Sequence, residues 1–206
     1  TMRSIHLRMT RLHAFFVGTS LASAAAWIRA VPHSSRGLHA HMGCSGTSGG
    51  VGGAAKAELL RGLARSLCAG EFAVDSRSTC AALRLGDSQL GDEGAASIAD
   101  GLQCAPKLHN LHLHRNAIGD AGAAALGRAL EANSALRVLE LYSNAVGDAG
   151  AAALAEGLQS NGALVHLDLG DNCIGDKGAA ALGVALKANR ALGALWLYRN
   201  AVGDAG

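Results

Sequence analysis

Aromatic residues, prolines and paired cysteines are scarce in this chain. Its 206 residues include seven aromatics and two prolines, although half of the chain is apolar. Because Ala and Leu carry most of the apolar content, the composition excludes a core of large rings and favours thin, closely packed layers. The five cysteines are odd in number and form no C-x-x-C pair. Neither a disulfide framework nor a zinc site is therefore indicated.

Acidic residues are absent before Glu58, and the chain contains no N-x-[ST] glycosylation sequon. Residues 1–79 hold nine Lys or Arg and three Asp or Glu, whereas residues 80–206 hold nine and thirteen. The first part therefore has a net charge of +6 and the second a net charge of −4. The mildly acidic second part argues against nucleic-acid binding there. The missing sequon counts against secretion.

We interpret residues 1–53 as a leader followed by a Gly/Ser-rich linker. Three arginines, Arg3, Arg8 and Arg11, precede an apolar stretch at 14–28. This layout is typical of a secretory signal, and the acid-free, Ser-containing composition also fits an organelle transit peptide. A disordered leader is the third interpretation. The apolar stretch is too short and too interrupted for a stable membrane span. We expect a cytoplasmic protein. Organelle targeting or secretion is the alternative if residues 1–30 are a genuine targeting segment.

The second part of the chain is an internal repeat with a period of 28 residues and no insertion. The segment 108–135 recurs in full at 136–163 and 164–191. A weaker copy precedes it at 80–107, and a shortened copy follows at 192–206. Fixed periods of this length are typical of solenoid proteins, in which each unit buries its apolar face only by stacking on its neighbours.

Each repeat combines two hydrophobic periods. Leu111 and Leu113 are two residues apart, which places them on one face of a short strand. Leu126 and Leu130 are four residues apart, which places them on one stripe of a helix. The unit is therefore predicted to be strand, turn and helix. Asp120, at the predicted start of the helix, is expected to cap that helix through its carboxylate.

Three further columns of the repeat have predicted structural roles. The column of Asn133 is expected to provide left-handed C-caps for the helices. The column of Gly122 is expected to permit close approach of a neighbouring backbone, because glycine there costs a helix about 1 kcal/mol. The column of Asn116 is expected to bond the backbone of its own turn and that of the next repeat.

The pattern L-x-x-L-x-L-x-x-N-x-[IV]-G-D-x-G-A-x-x-[LI], repeated every 28 residues, resembles the ribonuclease-inhibitor type of leucine-rich repeat. The resemblance covers residues 80–206, and that repeat class occurs in the ribonuclease inhibitor, NOD-like receptors and Ran GTPase activators. It implies an α/β solenoid shaped as a horseshoe, with a parallel sheet on the concave face and helices on the convex face. The first repeat departs from the pattern, because Cys80 replaces Leu and Ser88 replaces Asn.

The remaining boundaries follow from this assignment. Residues 54–79 are predicted to form an N-terminal capping helix, centred on the amphipathic stretch 56–68, and a connector. The alternative is that this helix belongs to a degenerate earlier repeat. Residues 80–206 comprise about four and a half repeats, of which the last is truncated. Because Leu195 and Leu197 would then lie beside an uncovered edge strand, we expect the sequence to be a fragment of a longer array.

Variable residues occupy the outward positions of the predicted strands. Every aromatic residue within the repeats falls in these positions, and Trp and Tyr often dominate protein interfaces. Glu140 and Asp168 would be neighbours across strands and would favour a partner with an exposed basic group. The residues predicted to contact a partner on the concave face are Arg84, His112, His114, Glu140, Tyr142, His166, Asp168, Trp196 and Tyr198.

Catalytic, cofactor and metal sites are not predicted. The glycines belong to the repeat and do not form a phosphate-binding loop. A metal site built from His112, His114, His166 and the two acidic residues is disfavoured, because a fairly flat sheet holds these side chains apart. We therefore expect a non-enzymatic scaffold that binds a protein. The alternatives are the sensor or regulatory repeats of a larger NOD-like-receptor-type protein, or a regulator similar to Ran GTPase activators.

Overall fold

Strands and helices alternate along the repeat region. The computed structural model describes residues 29–31, 38–41, 81–103, 105–204 and 206. The strands of the repeats are β3 (Ala81–Arg84), β4 (Leu108–His112), β5 (Val138–Glu140), β6 (His166–Asp168) and β7 (Ala194–Trp196). The helices between them are α1 (Gly91–Leu102), α2 (Asp120–Ala132), α3 (Asp148–Ser160) and α4 (Asp176–Ala188). The predicted strand–turn–helix unit is confirmed.

The five strands pair in chain order to form one parallel sheet, so each repeat adds one strand beside that of the preceding repeat. Leu111 aligns with Leu139, and Leu139 with Leu167, so that equivalent positions form continuous rows. These leucines are fully buried between the sheet and the helix layer. The fold is an α/β solenoid with one parallel sheet and one layer of helices, as predicted.

Two short strands extend the sheet on its N-terminal side. β1 (Arg29–Val31) pairs antiparallel with β2 (Leu38–His41), and β2 pairs parallel with β3. Both lie within residues 1–53, and the sequence pattern does not predict them. The predicted capping helix lies outside the described residues. No helix in the described part of the chain has the length and apolar content needed to cross a lipid bilayer.

An aspartate at the start of each of α1, α2 and α3 caps the helix of the following repeat. The prediction that Asp120 caps its own helix is wrong, because α2 has Gly119 at its N-cap and no side-chain capping bond. Instead, Oδ1 of Asp120 accepts hydrogen bonds from the backbone N–H groups of Gly147 (2.7 Å) and Gly150 (2.9 Å) at the start of α3. Asp92 and Asp148 make the equivalent bonds to α2 and α4. These aspartates therefore join repeats rather than stabilise single helices.

The asparagine columns also join repeats, and two details of their prediction are corrected. The side-chain amide of Asn116 bonds its own turn, as expected, but its other partners belong to the preceding repeat rather than the next. Asn133 has extended rather than left-handed dihedral angles (φ −88°, ψ 119°). Its Nδ2 reaches back to the carbonyl of Leu102 (2.6 Å), and its Oδ1 accepts the N–H of Leu136 (2.8 Å). A left-handed cap is not needed, because the side chain satisfies these groups.

Two kinds of glycine permit close packing between helices. A Cβ on Gly122 would lie 2.8 Å from Oδ1 of Asp92, so the predicted close approach exists but involves a side chain. A Cβ on Gly127 would overlap the backbone carbonyl oxygen of Ala153 in α3. A Cβ on Gly157 would in turn overlap the carbonyl oxygen of Gly127. These last two glycines set the contact distance between α2 and α3.

Candidate functional site

The surface of the sheet that faces away from the helices is here called the open face. In each central strand the middle residue is buried and its two neighbours are partly exposed. The register aligns the outward residues into rows across the sheet, as predicted. The acidic row consists of Arg84, His112, Glu140, Asp168 and Trp196, and the ring row, two residues along, consists of Gly86, His114, Tyr142, Gly170 and Tyr198.

Histidines surround Glu140 at the centre of the open face. Nδ1 of His112 lies 2.6 Å from Oε2 of Glu140 and donates a hydrogen bond to it. Nδ1 of His114 lies 3.8 Å from the same oxygen, at ion-pair rather than hydrogen-bond distance. Burial lowers the pKa of His114, while the nearby carboxylates of Asp87 and Glu140 act in the opposite direction. His114 therefore favours its neutral form near pH 7.

Asp168 lies next to Glu140 on the adjacent strand. Burial raises the pKa of Asp168 above its usual value, the backbone N–H of Gly170 lowers it, and the carboxylate of Glu140 raises it again. The Gly170 N–H donates to Oδ1 of Asp168 at 2.9 Å. The open face thus carries two neighbouring carboxylates, one of which is partly desolvated.

Aromatic rings cover the sheet on both sides of these carboxylates. His114 stacks on Tyr142 with ring centroids 4.6 Å apart and planes 5° apart. His166 stacks on Trp196 with centroids 5.7 Å apart and planes 19° apart. Trp196 and Tyr198, at the last strand of the sheet, are 44% and 48% exposed. Their exposed rings are available to a binding partner.

Gly86 and Gly170 make room for two of the rings, a role that the sequence analysis missed. A Cβ on Gly86 would overlap the ring of His114, and a Cβ on Gly170 would overlap the ring of Tyr198. Each ring therefore leans over the glycine of the preceding repeat. The signal was present in the sequence, because each glycine precedes a ring by 28 residues in the same row.

A depression of about 350 Å³ lies at the C-terminal end of the open face. It brings together five of the predicted contact residues, and Val138 lies beside them. The predicted residues that line it are Glu140, His166, Asp168, Trp196 and Tyr198. His112, His114 and Tyr142 lie next to this depression, through their contacts with Glu140 and with each other. Arg84 is exposed at the other end of the acidic row, and no ion pair joins it to a described residue.

The rim of the open face is formed by the residue that follows the ring row. Five non-glycine residues there have left-handed φ values between 51° and 57°: Asp87, Arg115, Ser143, Asp171 and Arg199. Such a conformation costs about 1–2 kcal/mol per residue. Nη1 of Arg115 lies 3.9 Å from Oδ1 of Asp87, and Oγ of Ser143 donates to Oδ2 of Asp171 at 2.7 Å. The rim therefore presents charges of both signs.

Metal coordination is not evident at this site. Among the described residues, no group of three or more His, Cys, Asp or Glu side chains is arranged so that it could hold a metal ion. Nitrogen atoms of His112, His114 and His166 are buried without a hydrogen-bond partner among the described residues. Two of these rings, His114 and His166, also stack on neighbouring aromatic rings.

Comparisons with known proteins agree with this architecture. A family model described as a leucine-rich repeat matches residues 82–99, 104–127, 132–155 and 163–183. A solved structure of "Leiomodin-1 Actin-Binding Site 2 (ABS2)" is similar to the chain with a TM-score of 0.58 and 22% sequence identity. The similarity covers 66% of this chain and 76% of the leiomodin-1 chain. No curated protein sequence matches the chain. The four matched segments therefore carry the leucine-rich-repeat pattern, and the described repeats stack into an α/β solenoid.

Proposed function

We propose that this chain is a protein-binding scaffold whose open face, the expected concave side of a ribonuclease-inhibitor-type solenoid, contacts the partner. The observation that carries the proposal is the pair of exposed rings at Trp196 and Tyr198. Large rings outside a core, beside polar groups, are typical of interface hot spots. The strands that bear them are fixed by the stack, so little conformational freedom is lost on binding.

The remaining features of the face support a protein rather than a small molecule. Residues from three neighbouring strands line the depression, and the rim of the open face adds the charged residues Arg115, Asp171 and Arg199. Extended surfaces of this kind suit another folded protein. The similar leiomodin-1 structure is an actin-binding site, so a fold of this kind binds a protein in that case.

The proposal is tested by affinity capture from native lysate, with the 206-residue chain as bait. One variant carries Tyr142→Ala, Trp196→Ala and Tyr198→Ala. A control variant carries Val184→Ala and Leu186→Ala, which remove exposed apolar side chains from α4 in the helix layer. Thermal unfolding followed by circular dichroism establishes that all three proteins are folded.

The expected result is that the same protein is retained by the natural chain and by the control variant but lost by the aromatic variant. Loss by about tenfold or more corresponds to the removal of at least one hot-spot ring. Equal retention by all three proteins, or retention of no protein, would show that the open face is not the binding surface.

A further inference from the structure

The depression on the open face combines negative charge with aromatic walls. Glu140 and Asp168 contribute the carboxylates, and Trp196 and Tyr198 contribute the exposed rings. None of the described residues that line it is Lys or Arg. A cation placed there would interact with both carboxylates and with the faces of the rings.

Each carboxylate has one oxygen that is already bonded and one that is not. Oε2 of Glu140 accepts the hydrogen bond from His112, and Oδ1 of Asp168 accepts the one from Gly170. Within the described residues, Oε1 of Glu140 and Oδ2 of Asp168 have no hydrogen-bond donor. The bonded oxygens fix the two side chains, so the other two oxygens are pre-positioned acceptors.

We propose that this depression binds the guanidinium group of an arginine side chain on the partner protein. The inference rests on the proposed function and names the chemistry that the face recognises. Neighbouring strands are about 4.8 Å apart, so Glu140 and Asp168 are within reach of one planar, five-donor group. The same plane stacks on Trp196 or Tyr198, whereas the compact ammonium group of lysine lacks a flat surface for stacking.

The electrostatics of the site agree with a cationic ligand. The pKa of Asp168 is raised by burial and by Glu140, so two ionised carboxylates in this position repel each other. A bound guanidinium group removes this repulsion. Its binding is therefore expected to lower the pKa of Asp168, which NMR of the carboxyl carbon can measure.

The direct test is a titration of the complete chain with three peptides: Ac-Gly-Arg-Gly-NH₂, Ac-Gly-Lys-Gly-NH₂ and Ac-Gly-citrulline-Gly-NH₂. Citrulline has the planar shape of arginine without its charge. The chain has two tryptophans, Trp27 and Trp196, so the indole N–H signal of Trp196 is identified by its loss in Trp196→Phe. The expected order of affinity is arginine, then lysine, then citrulline, with citrulline about tenfold or more weaker than arginine.

Two double variants, each of which removes two negative charges, test whether the arginine peptide binds at Glu140 and Asp168. Glu140→Gln with Asp168→Asn is expected to weaken arginine binding by about tenfold or more. Glu131→Gln with Glu156→Gln neutralises two exposed carboxylates on α2 and α3 and is expected to leave the affinity within about twofold, since salt screens distant charges. Equal affinity for arginine and citrulline, equal effects of the two variants, or no saturable arginine binding would overturn the proposal.

The failure of this inference is distinguishable from the failure of the proposed function. If the arginine peptide shows no preference while capture of the partner still requires Tyr142, Trp196 and Tyr198, the open face binds a protein but not through arginine. If capture is also independent of these three rings, the proposed function itself is wrong.

Discussion

Replacement of Asn116 by Ala tests how strongly the side chains of one repeat hold the preceding repeat. Asn116 is fully buried, and its Oδ1 accepts the backbone N–H groups of Ser88 (2.9 Å) and Leu90 (3.3 Å). Its Nδ2 donates to the carbonyl oxygens of Leu85 (2.7 Å), Leu113 (2.9 Å) and His114 (3.1 Å). Five bonds at about 1 kcal/mol each predict a loss of about 3–5 kcal/mol in the free energy of unfolding.

Urea denaturation followed by far-UV circular dichroism measures this loss. Asn116→Ser is a matched variant, because Ser88 occupies the equivalent position in the first repeat, and its hydroxyl donates to the Gly86 carbonyl in its own turn (3.2 Å) as its one bond to a described residue. We therefore expect Ser to recover less than about 1 kcal/mol relative to Ala.

Asn200, which occupies the same repeat position as Asn116, tests how much of the loss depends on burial of the side chain. It repeats the bonds to Leu169 (2.8 Å) and Ile174 (3.0 Å) but is only partly buried, so water can replace its side chain and Asn200→Ala should cost less than Asn116→Ala. A loss below about 1 kcal/mol for Asn116→Ala, or equal losses at both positions, would refute the reasoning.

Four further predictions concern packing and ionisation. Leu139→Ala should lower the free energy of unfolding by about 2–5 kcal/mol in the same urea assay, because the side chain is fully buried; a loss below about 1 kcal/mol would contradict its place in the core. Gly127→Ala should cost about 1–3 kcal/mol because its Cβ would overlap the neighbouring helix, whereas Gly162→Ala, at an exposed turn where a Cβ would meet no neighbouring atom within 4 Å, should stabilise the chain by up to about 1 kcal/mol; a stabilising change at both positions would refute the close helix contact. Asp168→Asn should raise the free energy of unfolding at neutral pH by less than about 1 kcal/mol, because a carboxyl pKa that is raised in the folded state means that ionisation opposes folding. This gain should vanish below pH 3.8, the usual pKa of the group, where the carboxyl is protonated in both states. A gain that persists below that pH would show that ionisation of Asp168 is not its cause. Because the pKa of His114 is lowered in the folded state, stability should fall as the pH drops below 6.5, and thermal unfolding of His114→Gln should show a smaller fall; an unchanged pH dependence would assign the effect to other groups.

The repeat period was sufficient to predict the fold and the rows of the open face. A constant 28-residue spacing forces equivalent residues into register, so Glu140 and Asp168 could be placed side by side without coordinates. The period does not reveal whether a side chain forms hydrogen bonds with the preceding repeat or with the following one. Asp120 is adjacent in sequence to its own helix and reaches the next one, and Asn116 reaches the preceding repeat. A single repeat is compatible with either direction.

Contacts between helices were also beyond the single-repeat pattern. Gly127 and Gly157 lie at different positions of their repeats, so a search for one constant column overlooks them. Two helix positions, two residues apart, hold one Ala and one Gly in every repeat, and their order reverses from each repeat to the next. The pairs are Ala99 and Gly101, Gly127 and Ala129, Ala155 and Gly157, and Gly183 and Ala185. The stacking of His114 on Tyr142 depends on rotamers and could not be derived from spacing.

The most direct test of the proposed binding surface is site-specific photo-crosslinking of the complete chain in its native lysate. The photoreactive residue p-benzoylphenylalanine replaces Tyr142 on the open face in one protein and the exposed Val184 of the helix layer in the other. We expect one partner protein to be crosslinked from position 142 and not from position 184. Crosslinking of that partner from position 184 alone would place the binding surface on the helices and contradict binding through the open face.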